Sequence, residues 1–528
     1  MLHTRLEPSP SGLQLSVITT WLLSLAGMCL AAPLAGCGSN PPAATIRWLR
    51  EPREVAWVKA AENPRLLYTV SAESRTSRHT ALMLVGSGEE VSFTVGSDSD
   101  PNGNAPATPG HELRRAAVLE SPRGLTINDH TFVLIIEEDR EGARQVVLIK
   151  WGESPDEAIA TALSGTRGAI AFDVAPCGAE LCVLTARAQE PHSAELVLTR
   201  LESDGGQTAQ PLALSDTDHL LRALYLLPLS DRLEIVWATC EGCESLDYDN
   251  WEERIYAVSS RVSRLSLSVD GAPIGEPETI FDWPALIEPA DAAVHGDDAW
   301  LLFWKMSDHE APGCGPRGYC PIPRELVAAR WSPGMDEAHI GAPLAVSELA
   351  YLAALSRGGG SIIALWRTED ESDRYRRNLH LAELAVPDGD PGGEPVALPA
   401  ATYTPLLFRD DWSAAPNVLP FAFTDGLAAL ADGGPAGFRV AMSYRDHPPG
   451  SPLQCGEAVR AGVFYAQVST DGEILQSSPH QSLLAVEPTC GDSGGCAHAQ
   501  GPKQAPLPLT LLLVAALAIR RRARAPGH

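Results

Sequence analysis

Residues 299–332 read "AWLLFWKMSDHEAPGCGPRGYCPIPRELVAARWS", and this stretch decides how the chain is understood. Two short apolar runs, "AWLLFWKM" and "ELVAARWS", have strand character, and the Gly- and Pro-rich polar segment between them has the makeup of a loop. The three pieces form a hairpin. The same construction recurs as "RLLYTVS" then "TALMLVG", "TFVLIIEE" then "RQVVLIKW", "ELCVLTAR" then "AELVLTRL", and "RLEIVWAT" then "RIYAVSSRVSRLSLSV". It recurs again as "SIIALWRT" then "NLHLAELAV" and "FRVAMSYR" then "GVFYAQVS". The first strands begin near Leu66, Phe132, Leu181, Leu233, Trp300, Ile362 and Phe438, about 62 residues apart, a step that marks a repeat architecture.

Many second strands end in Asp-Gly, at Asp204-Gly205, Asp270-Gly271, Asp388-Gly389 and Asp471-Gly472. Asp-Gly supplies the positive φ of a tight turn, so a further strand should follow, as in "EILQSSP". Another apolar run closed by a Gly- or Asp-containing turn precedes each hairpin, as in "AFDVAPCGAE" and "DAAVHGDD". Four strands per unit in seven units resembles the β-propeller fold class, with no signature of a named repeat family. The expectation is an all-β chain of about seven four-stranded blades. Six blades, eight blades or tandem β-sandwiches are the alternatives.

In such a ring, the loop joining the second and third strands of every blade opens on one face. Those loops start after Ile136, at Cys240, at Ser307, at Thr368 and at Arg445, and binding residues concentrate on loops held by a rigid scaffold. The binding-face candidates are therefore Glu138, Asp308, His309, Asp370, Asp446 and His447. Gathered acids there would favour a cation or a basic partner.

The N-terminus, "MLHTRLEPSPSGLQLSVITTWLLSLAGMCLAAPLAGCGSN", carries an apolar run ending in Leu34, Ala35, Gly36 and Cys37. It resembles a bacterial lipoprotein signal peptide. The resemblance implies that Cys37 receives lipid and becomes the mature N-terminus. At the other end, "SGGC" closing at Cys496 is followed by an apolar run from Leu507 to Ile519 and by Arg520, Arg521, Arg522 and Arg524. This resembles the myxobacterial C-terminal sorting signal, in which a membrane protease removes the tail and the cysteine is modified. A plain C-terminal anchor is the alternative.

The resulting plan is signal peptide 1–36, tether 37–48, propeller 49–485, Gly-rich spacer 486–506 and sorting tail 507–528. The implied location is the outer membrane or cell surface, reached through the export and sorting machinery and held by the lipid.

The net charge of −27 becomes about −32 for the exported body once Lys503 and the four tail arginines are set aside, Arg5 and Glu7 cancelling. A surface so acidic repels nucleic acid, which is excluded as a partner. Eight cysteines remain in the body, three pairs of them close in sequence: Cys177 with Cys182, Cys240 with Cys243, and Cys314 with Cys320. Disulfides are the reading that fits an oxidising compartment, with Cys455 and Cys490 paired by elimination. Zinc on Cys240, Cys243, Cys314 and Cys320 is the minor alternative.

No metalloprotease helix, Walker loop or dinucleotide fingerprint is present. The string around Ser493 mimics a protease nucleophile box without an elbow to hold it. Asp98, Asp100 and Asn102 mimic the start of an EF-hand loop, but Pro109 stands where its bidentate Glu belongs, so calcium there is a weak alternative to no cofactor. The leading expectation is a non-enzymatic surface lipoprotein that binds a protein or glycan partner. A polysaccharide hydrolase or lyase is the rival, with acid/base work falling to pairs such as Asp308-His309 and Asp446-His447.

Overall fold

The computed structural model describes strands and turns between residues 49 and 486. The termini and many connections, the longest being 96–117, 244–257, 307–322, 406–417 and 446–458, lie outside the described residues. The described residues belong to the unit Ile46–Thr489 and contain no α-helix.

In chain order the strands are β1 (Leu49–Lys59), β2 (Leu66–Glu73), β3 (Arg78–Val85), β4 (Glu90–Val95); β5 (Val118–Ile127), β6 (His130–Glu138), β7 (Arg144–Trp151), β8 (Ile159–Ala162); and β9 (Ala169–Cys177), β10 (Glu180–Glu190), β11 (Ser193–Leu201), β12 (Leu212–Thr217). They continue with β13 (Leu220–Pro228), β14 (Arg232–Glu241), β15 (Ser259–Ser268), β16 (Pro273–Trp283); and β17 (Ile287–His295), β18 (Asp298–Met306), β19 (Arg324–Trp331), β20 (His339–Ile340), β21 (Ala345–Ser347). The last are β22 (Ala353–Leu355), β23 (Ile362–Asp370), β24 (Asp373–Ala385), β25 (Val396–Ala397), β26 (Ala401–Pro405), β27 (Val418–Leu419); and β28 (Leu427–Ala431), β29 (Phe438–Arg445), β30 (Val459–Val468), β31 (Ile474–Val486).

These strands form six hydrogen-bonded sheets of eight, four, four, five, six and four strands. Successive sheets pack face to face in a β-propeller arrangement. Leu184 and Leu198 of one sheet, for example, meet Leu226 and Trp237 of the next, and Trp300 and Trp304 meet Leu355 and Trp366. The first strands also follow one another in a cycle: β1 packs on β5, β5 on β9, β9 on β13, β13 on β17, β17 on β22, β22 on β28, and β28 on β1.

About seven four-stranded blades were the expectation, and the strands form six sheets, three of them four-stranded. β1 and β5 pair in parallel at Val58 with Gly124 and Lys59 with Leu125, which joins two successive antiparallel meanders into the eight-stranded sheet. The approach is close because Gly124 has no side chain; a Cβ there would stand 2.7 Å from Val58 Cγ2. Two other sheets gain extra strands as β20 and β21 both pair with β19, and β25 and β26 both pair with β24.

Stacking explains which strands read clearly in the sequence. Phe132 to Ile136 of β6 are buried, as is all of β14 from Leu233 to Cys240, because neighbouring sheets cover both faces. Each buried Leu, Ile, Val or Phe among them contributes about 1.5–3 kcal/mol. The outer strand β16 has solvent on one side and is exposed from Pro273 to Thr279. The Asp-Gly turns at 204–205 and 270–271 form as expected, with φ of 88° at Gly205 and 83° at Gly271.

Two aspartates tie neighbouring inner strands together. Asp173 of β9 accepts the Leu226 N–H of β13 at 2.9 Å, and Asp291 of β17 accepts the Leu355 N–H of β22 at 2.9 Å. They occupy equivalent registers, opposite Leu184 and Leu302, and each precedes a turn glycine, Gly178 or Gly296, by the same interval. In β5 the corresponding position, opposite Leu134, is Arg123, whose Nε lies 3.4 Å from Asp173 Oδ1.

Candidate binding face

The connections between second and third strands of the meanders are 74–77, 139–143, 191–192, 242–258, 307–323, 371–372 and 446–458. Their bases are built by the strand ends that enter and leave them. At the base of 307–323, Lys305 and Glu325 face each other across β18 and β19, with Nζ 3.1 Å from Oε2. The Lys305 ammonium also lies 4.4 Å from the ring centre of Trp283, the last residue of β16. On the other face of the same sheet, Arg324 of β19 pairs with Glu288 of β17. Lys305, Glu325 and Arg324 are only 10–12% exposed, so each charge depends on its partner.

A disulfide between Cys240 and Cys243, with Cα atoms 5.6 Å apart, closes the base of 242–258. It is buried against Val258, Ala285, Leu286 and Met306, so the bases of two adjacent connections share one apolar cluster. Ser260 Oγ, at the start of β15, accepts the Ile287 N–H at 3.0 Å and fixes the next sheet's first strand to it. The second disulfide, Cys177 to Cys182, lies at the opposite end of its sheet, across the Gly178-Ala179 turn.

Glu138 is the last residue of β6 and pairs in register with Arg144, Nε to Oε2 at 4.0 Å. Beside it, buried Glu137 accepts a hydrogen bond from Gln145 at 3.2 Å. Asp370 is the last residue of β23 and stands opposite Asp373. The loop expected from Thr368 is thereby corrected: β23 and β24 continue through it and leave only 371–372 as connection. The extension is held by His380, which stacks on Trp366 at 5.4 Å and meets Thr368 Oγ1 at 2.7 Å. Burial holds the His380 imidazole below its ordinary pKa of 6.5.

Asp308, His309, Asp446 and His447 lie outside the described residues, as do Asp98, Asp100, Asn102, Cys37, Cys314, Cys320, Cys455, Cys490 and Cys496. Among the described residues no group of three His, Cys, Asp or Glu side chains is placed to hold a metal ion. No helix among them is long and apolar enough to cross a membrane.

The residues that sequence reasoning overlooked are the lone charges inside apolar strands. Lys305 in "LLFWKM" and the aspartates of "AFDVA" and "PADAA" each interrupt an apolar run, and that interruption was the available signal; Glu325, beside Arg324 at the start of its strand, carried none. Glu234 belongs with them. It is 1% exposed, accepts the Trp331 indole N–H of the next sheet at 3.0 Å, and has the Arg264 guanidinium 3.8 Å away. Desolvation raises its pKa above the ordinary 4.5 against the lowering pull of Trp331 and Arg264.

No family model matches the chain, and neither does any curated protein. Solved structures that it resembles include a GH43_1 enzyme from Xanthomonas citri, at 11% identity over 67% of this chain and 94% of that one, with a TM-score of 0.32. A polysaccharide lyase of family PL25, an ulvan lyase, matches at 11% identity over 83% of this chain and 98% of that one, with a TM-score of 0.43. An apocarotenoid oxygenase from Synechocystis matches at 10% identity over 85% of this chain and 92% of that one, with a TM-score of 0.37. The propeller assignment rests on strand order and packing.

Proposed function

We propose that the chain is a seven-bladed propeller lipoprotein, held at the outer membrane or cell surface by lipid on Cys37, whose second-to-third connections bind a protein or glycan partner. The blade count is supported by the cycle of first strands, β1, β5, β9, β13, β17, β22, β28 and back to β1. On this count the eight-stranded sheet is two blades whose inner strands touch at Gly124. Lipid attachment is supported by the "LAGC" box ending at Cys37, and sorting by Cys496 with the arginine tail.

The observation that carries the binding reading is the construction of the loop bases. Connections 242–258 and 307–323 rise from strand ends locked by a disulfide, two nearly buried ion pairs and one shared apolar cluster. Stiff bases under long loops lower the ordering cost of binding. Glu138 and Asp370 stand at equivalent strand ends, and Asp308, His309, Asp446 and His447 belong to equivalent connections.

The test is to titrate the full chain with anionic, neutral and cationic polysaccharides, measuring heat of binding and polymer length together. Saturable binding that leaves the polymer length unchanged, and that weakens when 309–321 is replaced by a short Gly-Ser link, supports the reading. Shortening of the polymer, with new reducing or unsaturated ends, would overturn it in favour of a hydrolase or lyase.

A further inference from the structure

We infer that the end of the sheets carrying the second-to-third connections is turned toward the membrane surface, and that the third-to-fourth connections point away from it. The inference rests on the lipid-anchor reading of Cys37 and adds an orientation to it. Its first support is strand register. Leu49, the first residue of β1, lies opposite Glu73, where connection 74–77 begins. Val486, the last residue of β31, lies opposite Val459, where connection 446–458 ends. The chain therefore enters and leaves the body at the loop-bearing end.

Tether length makes this consequential. Residues 38–48 span at most about 40 Å when fully extended, while β1, with 11 residues, is itself about 36 Å long. To turn the loop-bearing end outward, the tether would have to run taut down the whole height of the body. A second attachment through the tail beyond Val486 would enforce the same orientation.

The second support is charge and is independent of the first. The third-to-fourth connections are 86–89, 152–158, 202–211, 269–272, 332–338, 386–395 and 469–473. Each holds at least one Asp or Glu, and none holds a Lys or Arg. The second-to-third connections include Arg75, Arg140, Arg254 and Arg317 among their acids. The first-to-second connections at the same end add Arg65 and Arg357 but leave it the more acidic of the two, and near an anionic lipid surface repulsion acting over about 10 Å at 0.1 M salt pushes that end outward. A partner taken by the loop face would then itself be held at the membrane.

The test uses the lipidated full chain in phosphatidylethanolamine–phosphatidylglycerol vesicles containing a nitroxide-headgroup lipid. A fluorophore is placed at either end of one strand, at His192→Cys or Glu202→Cys flanking β11, with the parent chain as blank. Ser259→Cys and Asp270→Cys, at the two ends of β15, provide a second pair should the first fold poorly. Quenching several-fold stronger at 192 and 259 than at 202 and 270 is the expected result. Equal or reversed quenching overturns the orientation. Cys37→Ser separates the two readings: retained attachment removes the Cys37 anchor, while the quenching pattern still decides the orientation through the tail that follows Val486.

Discussion

The two ends of the same strands are built on different principles. At the end holding the first-to-second and third-to-fourth connections, the backbone does the work: Gly178, Gly205, Gly271 and Gly296 all take positive φ in tight turns. Side chains reinforce it in places, as the Cys177–Cys182 disulfide across the Gly178-Ala179 turn and the Arg330–Asp298 pair do, and the third-to-fourth connections are uniformly acidic. At the other end, connections 242–258, 307–323 and 446–458 are too long for a turn to define them. There the support comes from side chains: the Cys240–Cys243 disulfide, Lys305 with Glu325 and Trp283, and Arg324 with Glu288. The turn end is shaped first by dihedral preference and the loop end by paired burial alone, so the two should fail differently.

The strand middle sets the scale for that contrast. Asp173→Ala removes the acceptor of the Leu226 N–H and the partner of Arg123 at a site where the carboxylate is 2% exposed. A loss of about 3 kcal/mol is expected from denaturant midpoints, the range for stripping one member from a buried pair. A loss near zero would mean that the inner-strand tie does not hold the sheets together.

At the loop end, Lys305→Met should cost about 2 kcal/mol, because it removes the Lys305 charge that pairs with nearly buried Glu325 and lies over the Trp283 ring. Adding Glu325→Met should restore most of the loss. If the double variant is no better than the single, the site is not organised by charge pairing, and the contrast between the ends collapses.

At the turn end, Gly271→Ala should cost about 1 kcal/mol or somewhat more. The residue sits at φ 83°, and an added Cβ would stand 2.7 Å from Leu198 Cδ2. The change should leave partner binding untouched. Loss of binding in this variant would show that the two ends are coupled.

The smallest effect is a slope. The folded-state pKa of Glu234 is raised, so the folded chain holds this proton more tightly than the unfolded one. Stability contributed by the protonated form is therefore lost as pH rises from about 4.5 through the raised value. Glu234→Gln, which keeps an acceptor for Trp331, should flatten that part of the curve. His380 acts in the opposite sense: its lowered pKa means stability is lost as pH falls below 6.5, and His380→Gln should remove that acid-side loss. An unchanged pH profile in either variant would remove the buried-charge explanation.

The hairpins were legible because they coincide with the second and third strands, which neighbouring sheets cover on both faces. Continuous apolar runs such as "FVLII" and "IVWA" follow directly from that burial, and Asp-Gly marks turns through local φ preference alone. The all-β class, the step between hairpins, the Asp-Gly turns at 204–205 and 270–271 and the close cysteine pairs 177 with 182 and 240 with 243 were thus local properties of the chain. Tertiary structure alone decided how many sheets the meanders make, since the pairing of β1 with β5 needs Gly124 and Val58, far apart in sequence, at van der Waals distance. It also decided that β23 and β24 extend through Thr368, because the stack of Trp366 on His380 forms only once the strands are paired. The roles of Asp173, Asp291 and Glu234 were hidden for the same reason: a lone acid in an apolar run gains its partner from a neighbouring sheet, and sequence carries no information about which backbone N–H or indole will be there to meet it.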